Sequence, residues 1–234
     1  RFGSMPAHSN GAPLKLHREE WLVRACMPLL ACVARYHRIR VEGAERLPRD
    51  GPALLLVKHR ATRDTPLLAW LLHHHTGRTA NYLMKHGAAG LPPRLMEAFG
   101  GIPVIRAKDI LQLRSRTERT AHLARARDRA RAVRTYLAGL YAQGEIVVYP
   151  EGMFYPQSLG PLNGGAVRQA FSLQTATSSA VPIIPVGTEY RHLKQLRPQA
   201  VFRIGSPHIP SAYATPTAMI DALRDHLTSL SGLL

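Results

Sequence analysis

The sequence contains few acidic residues, few aromatic residues and little cysteine. Only 15 of its 234 residues are Asp or Glu, against 31 Lys or Arg, which gives a formal net charge of +16. Such an excess indicates an anionic partner, and nucleic acid, an anionic membrane and a phosphorylated small molecule all fit. The apolar fraction of 45% is sufficient for a folded core, so disorder, collagen and coiled coil are excluded as descriptions of the whole chain.

The two cysteines, Cys26 and Cys32, are six residues apart in a segment that reads as one helix. This spacing puts them about 240° apart around the helix axis, so they cannot form a disulfide with each other. We therefore expect free thiols, a reducing compartment and a cytoplasmic location.

The N-terminal part has no hydrophobic run long enough to cross a bilayer. Its most apolar stretch, residues 25–34, is about half as long as the roughly 20 residues that are required. Residues 1–4 are interpreted as an expression scar, and residues 5–37 are expected to form an amphipathic helical segment with a kink at Pro28. Membrane contact and packing against the rest of the chain both fit this segment.

From residue 38 onward, short apolar runs alternate with longer helical patterns, which is typical of an α/β domain. We expect one domain, residues 38–234, with a central mixed, largely parallel sheet of about seven strands flanked by helices. The predicted strands are 39–41, 53–57, 82–84, 102–105, 146–149, 183–186 and 201–204. The predicted helices are 66–75, 92–99, a long helix within 117–143, 166 to about 177, and 217–230.

The densest positive charge lies in residues 106–134, which contain ten Arg or Lys and three Asp or Glu. An apolar stripe along this segment predicts a helix with its arginines on the solvated face. That face is either simply solvated or binds an anionic membrane or nucleic acid. Few aromatic residues accompany the arginines, and neither a zinc-finger spacing nor an RNA-binding motif is present, so no nucleic acid is expected.

His59 follows a strongly apolar strand, and Asp64 lies five residues later at or just before a helix. In α/β proteins such strand-to-helix loops often carry reacting groups. His59 can act as a general base, with Asp64 holding its other ring nitrogen and stabilising the imidazolium. No serine or cysteine nucleophile is evident nearby, so the pair would activate a substrate hydroxyl. The alternative is that Asp64 is only the N-cap of the following helix.

Three further segments follow: Gly-Gly-Ile-Pro-Val-Ile-Arg at 100–106, Pro-Glu-Gly at 150–152 and Val-Pro-Ile-Ile-Pro-Val at 181–186. Together with His-x4-Asp, and in this order, they resemble the motifs of the glycerolipid acyltransferase family, which includes 1-acyl-glycerol-3-phosphate acyltransferases. The resemblance covers about residues 38–210.

The resemblance implies that His59 is the base and Asp64 its orienting partner. It further implies that Arg106 contacts an acceptor phosphate and that Glu151 and Gly152 bind and place the acceptor. Lys58, Lys85 and Gly101 are the remaining candidate substrate-binding residues. The implied substrates are acyl-CoA or acyl-carrier protein as donor and a lysophospholipid-like acceptor. No metal or resident cofactor is implied, and the location is the cytoplasmic membrane surface.

Three positions depart from the family pattern. Lys58 stands where Asn usually precedes the histidine, and Met153 and Phe154 replace the Thr-Arg that usually follows Pro-Glu-Gly. Loss of an arginine from a phosphate site favours a less charged or bulkier head group. The alternatives are therefore acyl transfer to such an acceptor, or a basic lipid- or nucleic-acid-binding protein without catalysis.

Overall fold

The computed structural model describes residues 14, 16, 18–85, 92–105, 115–150, 158–160, 162, 164–177, 180–192 and 194–233. They form an α/β unit around a seven-stranded mixed sheet, which confirms the expected fold class. The strands are β1 (Arg38–Glu42), β2 (Ala53–Val57), β3 (Ala80–Lys85), β4 (Gly101–Val104), β5 (Ile146–Pro150), β6 (Ile183–Arg191) and β7 (Gln199–Ile204). The α-helices are α1 (Glu20–Ala25), α2 (Met27–Tyr36), α3 (Asp64–Thr76), α4 (Pro93–Ala98), α5 (Arg116–Ala142), α6 (Gly165–Thr177) and α7 (Pro216–Leu230).

The strand order in the sheet is β1-β7-β6-β2-β5-β3-β4. All neighbouring pairs are parallel except β6 and β7, which are antiparallel. Five neighbouring strands, β6, β2, β5, β3 and β4, therefore run in the same direction. Their carboxyl ends meet at one side of the sheet, which we call the carboxyl edge. In α/β folds this is the usual place for a ligand or a reacting group.

The sheet is buried on both faces, as its apolar strands predict. All five residues of β2 are buried, and alternate residues enter opposite core layers, with Leu55 on one side and Leu54 on the other. The first layer is closed by α3 and part of α2, and the second by α5, α6 and α7. The helix residues that fill these layers include Leu67, Leu71 and Leu72 on the first side and Val133, Leu137, Val167, Ala170, Leu223 and Leu227 on the second.

The N-terminal segment differs from the single kinked helix that the sequence predicted. Two helices meet at Cys26, and Pro28 lies in the first turn of α2, where its missing N–H removes no helix hydrogen bond. The two cysteines are free, as expected. Ala34 of α2 is buried against α3, whereas Trp21, Leu29 and Tyr36 are 67%, 66% and 51% exposed. The segment therefore packs against the domain on one side and presents large apolar side chains to solvent on the other.

Helix α5 has the amphipathic arrangement that its sequence predicted. Ser115 caps it by accepting a hydrogen bond from the Glu118 amide, and Val133, Leu137 and Leu140 face the core. Several of its arginines are exposed, but Arg129 is half-buried and donates to the carbonyl of Pro103 at 3.2 Å. Within the described part of the chain, no helix combines the length and the apolar character that crossing a membrane requires.

Candidate active site

His59 and Asp64 lie in direct contact at the carboxyl edge, His59 in the loop after β2 and Asp64 at the first residue of α3. His59 Nδ1 is 3.0 Å from Asp64 Oδ2. The histidine side chain keeps 16% of its surface exposed, whereas that of the aspartate keeps 2%. The two residues therefore form a pair in which the imidazole is accessible and the carboxylate is held beneath it.

The Asp64 carboxylate is fixed by the loop that precedes it. Oδ2 accepts hydrogen bonds from the backbone amides of Arg60 at 2.6 Å and Ala61 at 2.8 Å, in addition to the bond from His59. An N-cap side chain accepts from amides after it, in the first turn of the helix. Asp64 is the first residue of α3 and accepts from amides before it, so the N-cap alternative does not describe this side chain.

The remaining oxygen of Asp64 is bonded by a residue that sequence reasoning missed. Tyr190, near the end of β6, donates its phenolic hydroxyl to Asp64 Oδ1 at 2.5 Å. Burial and the adjacent carboxylate raise the pKa of Tyr190, so this phenol stays protonated and continues to donate. Two residues earlier, the Thr188 hydroxyl donates to the carbonyl of Lys58 at 2.7 Å. The sequence predicted that this strand ends at residue 186. Thr188 and Tyr190 were therefore not predicted as site residues.

The hydrogen-bond pattern defines the tautomer of His59. An ionised carboxylate only accepts hydrogen bonds, so Nδ1 carries the hydrogen that points to Asp64. In the neutral ring the lone pair is therefore on Nε2. A base with this arrangement takes a proton at Nε2, and the resulting imidazolium is stabilised by the adjacent carboxylate. The pair is thus suited to removing a proton from a hydroxyl group.

The three basic residues of the same loop occupy different surroundings. Lys58 is fully buried, and its backbone N–H donates to the carbonyl of Val186. Arg60 donates to the carbonyl of Ser231 at 2.7 Å. The Arg63 guanidinium lies over the ring of Tyr190, 5.1 Å from its centroid. At least two of the three side chains are therefore engaged with the protein itself, and the assignment of Lys58 to substrate binding stays a prediction.

Of the other predicted site residues, the structure describes two: Lys85 ends β3 at the carboxyl edge, whereas Gly101 lies at the amino end of β4. Gly101 is buried at the start of β4, against Met84 and Met96. Lys85 is the last residue of β3, and its side chain is outside the described part of the structure. Arg106, Glu151 and Gly152 also lie outside the described residues, so their roles stay predictions.

No group of three or more His, Cys, Asp or Glu side chains that could hold a metal ion occurs among the described residues. The three consecutive histidines 73–75 form the last turn of α3, where the ring of His74 stacks on Trp70 with the ring centroids 4.8 Å apart. On α7, His226 hydrogen-bonds to His208, and burial lowers the pKa of both imidazoles. This second pair lies near the opposite end of β6 from Tyr190, because His208 bridges to Ile183.

Comparison with known proteins supports an acyl-transfer assignment. Residues 38–189 match the model of the family described as Acyltransferase. A search of curated proteins found no significant match. Among solved structures, the chain is similar to the crystal structure of the 1-acyl-sn-glycerophosphate (LPA) acyltransferase PlsC from Thermotoga maritima, with 14% identity, a TM-score of 0.63, and coverage of 92% of this chain and 80% of that chain. That likeness shows a shared fold, and the family match spans well over half of the sequence. The chain therefore belongs to the acyltransferase family that its four motifs indicated.

Proposed function

We propose that the protein is an O-acyltransferase that moves a fatty acyl group from acyl-CoA or acyl-carrier protein to the hydroxyl of a lysophospholipid-like acceptor. The observation that carries the proposal is the contact between His59 and Asp64 at the carboxyl edge, in a chain that belongs to the acyltransferase family. The PlsC fold supports a glycerolipid acceptor.

In the proposed reaction, His59 Nε2 removes the proton of the acceptor hydroxyl. The oxygen attacks the thioester carbonyl of the donor, and a C–O bond forms as the carbonyl electrons move to oxygen. When the carbonyl re-forms, the C–S bond breaks, and the thiolate leaves and takes the proton from the imidazolium. Asp64 stabilises the positive ring between the two proton transfers. No covalent enzyme intermediate is required.

The proposed acceptor contacts are Arg106 on a phosphate, with Glu151 and Gly152 placing the acceptor and Lys58, Lys85 and Gly101 as further candidates. The third motif lacks its usual arginine, and Phe154 stands at that position. A phosphate that loses one of its cationic partners is more costly to desolvate, so a less charged or bulkier head group is the alternative acceptor. The proposal also includes attachment to the anionic cytoplasmic face of a membrane.

The test is thiol release from palmitoyl-CoA and from palmitoyl-carrier protein with a panel of lysolipids, with the products identified by mass spectrometry. We expect acyl transfer by the wild-type protein and loss of at least a hundredfold in His59→Ala. His74→Ala is the matched control, because His74 is exposed in the last turn of α3, at the end away from the carboxyl edge. Absence of His59-dependent release with every donor and acceptor would overturn the proposal and favour a binding protein without catalysis.

A further inference from the structure

Strand β6 supports the histidine–aspartate pair at two points through side chains on the same face of the strand. Alternate residues of a strand point to the same side, and Thr188 and Tyr190 are two positions apart. Thr188 bonds the carbonyl of the residue before His59, and Tyr190 bonds the carboxylate of Asp64. One strand therefore holds both ends of the loop that carries the pair.

We propose that Tyr190 is a positioning residue that fixes the rotation of the Asp64 carboxylate and thereby the orientation and tautomer of His59. This proposal deepens the proposed acyl transfer and rests on it for its kinetic consequences. The two oxygens of a carboxylate move as one rigid group, so a hydrogen bond to Oδ1 also determines the direction in which Oδ2 accepts. Without the phenol, Oδ1 would be a buried acceptor without its bond from Tyr190, and the group would gain freedom to rotate away from His59.

Tyr190 is itself held by the surrounding structure. Its backbone lies in the antiparallel ladder opposite Ala200 of β7, and the Arg63 guanidinium covers its ring. The residue packs on the same core layer as α3, the helix that begins at Asp64. A rigid donor loses little conformational entropy when it binds its acceptor, which makes it suitable for orienting a second group.

The kinetic test is Tyr190→Phe, which removes one oxygen atom and keeps the ring. We expect kcat to fall about tenfold to a hundredfold with little change in KM for donor or acceptor, because the proposed role concerns proton transfer and not binding. Tyr141→Phe is the matched control. Tyr141 is buried on α5, and its hydroxyl has no hydrogen-bond partner among the described residues. Equal kcat values for wild type and Tyr190→Phe would overturn the proposal.

A double-mutant cycle with Asp64→Ala separates positioning from other roles, because alanine leaves Tyr190 no hydrogen-bonding side chain to orient at this position. If Tyr190 acts through Asp64, Tyr190→Phe has little further effect on kcat once the carboxylate is gone. If the two losses multiply, Tyr190 acts through another route and the proposal is wrong. The acid limb of the pH–rate profile gives a second readout. In Tyr190→Phe the carboxylate rotates away from His59 and stabilises the imidazolium less, so this limb moves to lower pH.

Incorporation of 3-fluorotyrosine at position 190 keeps the fold-supporting ring and strengthens the hydrogen-bond donor. It withdraws charge from Asp64, so the imidazolium is less stabilised and the acid limb moves to lower pH. This variant keeps the test available if Tyr190→Phe does not fold. Identical acid limbs in the fluorotyrosine and unmodified proteins would contradict the proposal.

A measurement without substrate separates this inference from the proposed function. In ¹⁵N-histidine-labelled protein, we expect the neutral ring of His59 to carry its hydrogen on Nδ1, and we expect Tyr190→Phe to populate the other tautomer. The His59 signals are assigned by comparison with His59→Gln. An unchanged tautomer in Tyr190→Phe overturns the positioning role, whether or not the protein transfers acyl groups. A changed tautomer in a protein that does not transfer acyl groups supports positioning and refutes only the enzymatic proposal.

Discussion

Asp64 accepts four hydrogen bonds from described residues, and its replacement by asparagine tests the importance of its charge. The amide oxygen of Asn can take the place of Oδ2 and accept from the two backbone amides and His59. Its amide nitrogen then faces the phenol of Tyr190, whose oxygen can accept. The substituted side chain is thus compatible with the site, but it has no charge to stabilise an imidazolium.

For Asp64→Asn we therefore expect a folded protein whose kcat is lower by about a hundredfold or more. Steady-state kinetics with the best acceptor and thermal unfolding together check the prediction. A variant that unfolds at the wild-type temperature and retains full kcat would show that the Asp64 charge does not contribute to turnover.

Gly101 illustrates a residue for which packing and substrate binding predict different results. A Cβ atom at this position would lie 2.6 Å from Met84 Sδ and 2.7 Å from the backbone oxygen of Met96. Gly101→Ala is therefore expected to lower the free energy of unfolding by about 1–3 kcal/mol, because the backbone of α4 must shift.

The control for this prediction is Gly139→Ala in α5, where a Cβ meets no atom within 4 Å and we expect stabilisation of about 0.5–1 kcal/mol. Urea unfolding measures both changes. If Gly101→Ala leaves stability unchanged but raises KM for the acceptor, the direct substrate-binding role that the motif implies is the better explanation.

At the level of elements, the outer part of the sheet is joined by an ion-pair chain across β6, β7 and β1. Glu189 on β6 bonds Arg191 and Arg203, and Arg203 of β7 also contacts Glu42 of β1 at 3.2 Å. The hydrogen bond from Arg191 is the largest cause that lowers the pKa of Glu189 from its ordinary 4.5 to about 2, with Arg203 adding to it. Folding therefore favours the ionised form of the Glu189 side chain over its protonated form.

A lowered pKa gives stability that is complete above the unfolded value and is lost as the pH falls toward the folded value. We expect Glu189→Gln to be less stable than wild type by about 1 kcal/mol at pH 7, with allowance for screening at the surface. The difference should shrink as the pH falls from 4.5 to 2. Urea unfolding at several pH values measures it, with the exposed Glu45→Gln as control. A difference that grows toward low pH would contradict this account.

The sequence predicted most of this sheet because its strands are short apolar runs, such as residues 53–57, which need no tertiary information to recognise. It did not predict the full length of β6, because residues beyond 186 are polar on one face and belong to the sheet through antiparallel pairing with β7. That extension carries Tyr190. The His59–Asp64 contact was predictable from a local spacing, whereas the contact from Tyr190 joins positions 126 residues apart.

At the level of the whole molecule, part of the positive charge is arranged regularly along one face of helix α5. Arg127, Arg131 and Arg134 repeat at i, i+4 and i+7 on α5, are all exposed, and have no acidic partner among the described residues. The neighbouring helix α6 carries exposed Arg168, and the side chain of Gln169 donates to the carbonyl of Arg134 at 2.6 Å. An anionic lipid surface is the partner that fits the proposed function.

The prediction is that Arg127→Gln, Arg131→Gln and Arg134→Gln together weaken binding to vesicles containing phosphatidylglycerol by at least about tenfold, since each well-placed basic residue contributes about 1 kcal/mol. The control is a second triple variant that removes the same charge from exposed sites elsewhere. It combines Arg40→Gln, Arg49→Gln and Arg224→Gln. Co-sedimentation at several salt concentrations measures binding, and added salt should reduce the difference between the two variants.

Equal losses in both variants would mean that net charge alone attracts the protein. Tight DNA binding that only the α5 substitutions weaken would instead favour the nucleic-acid hypothesis, because that affinity would then reside on this same helix face.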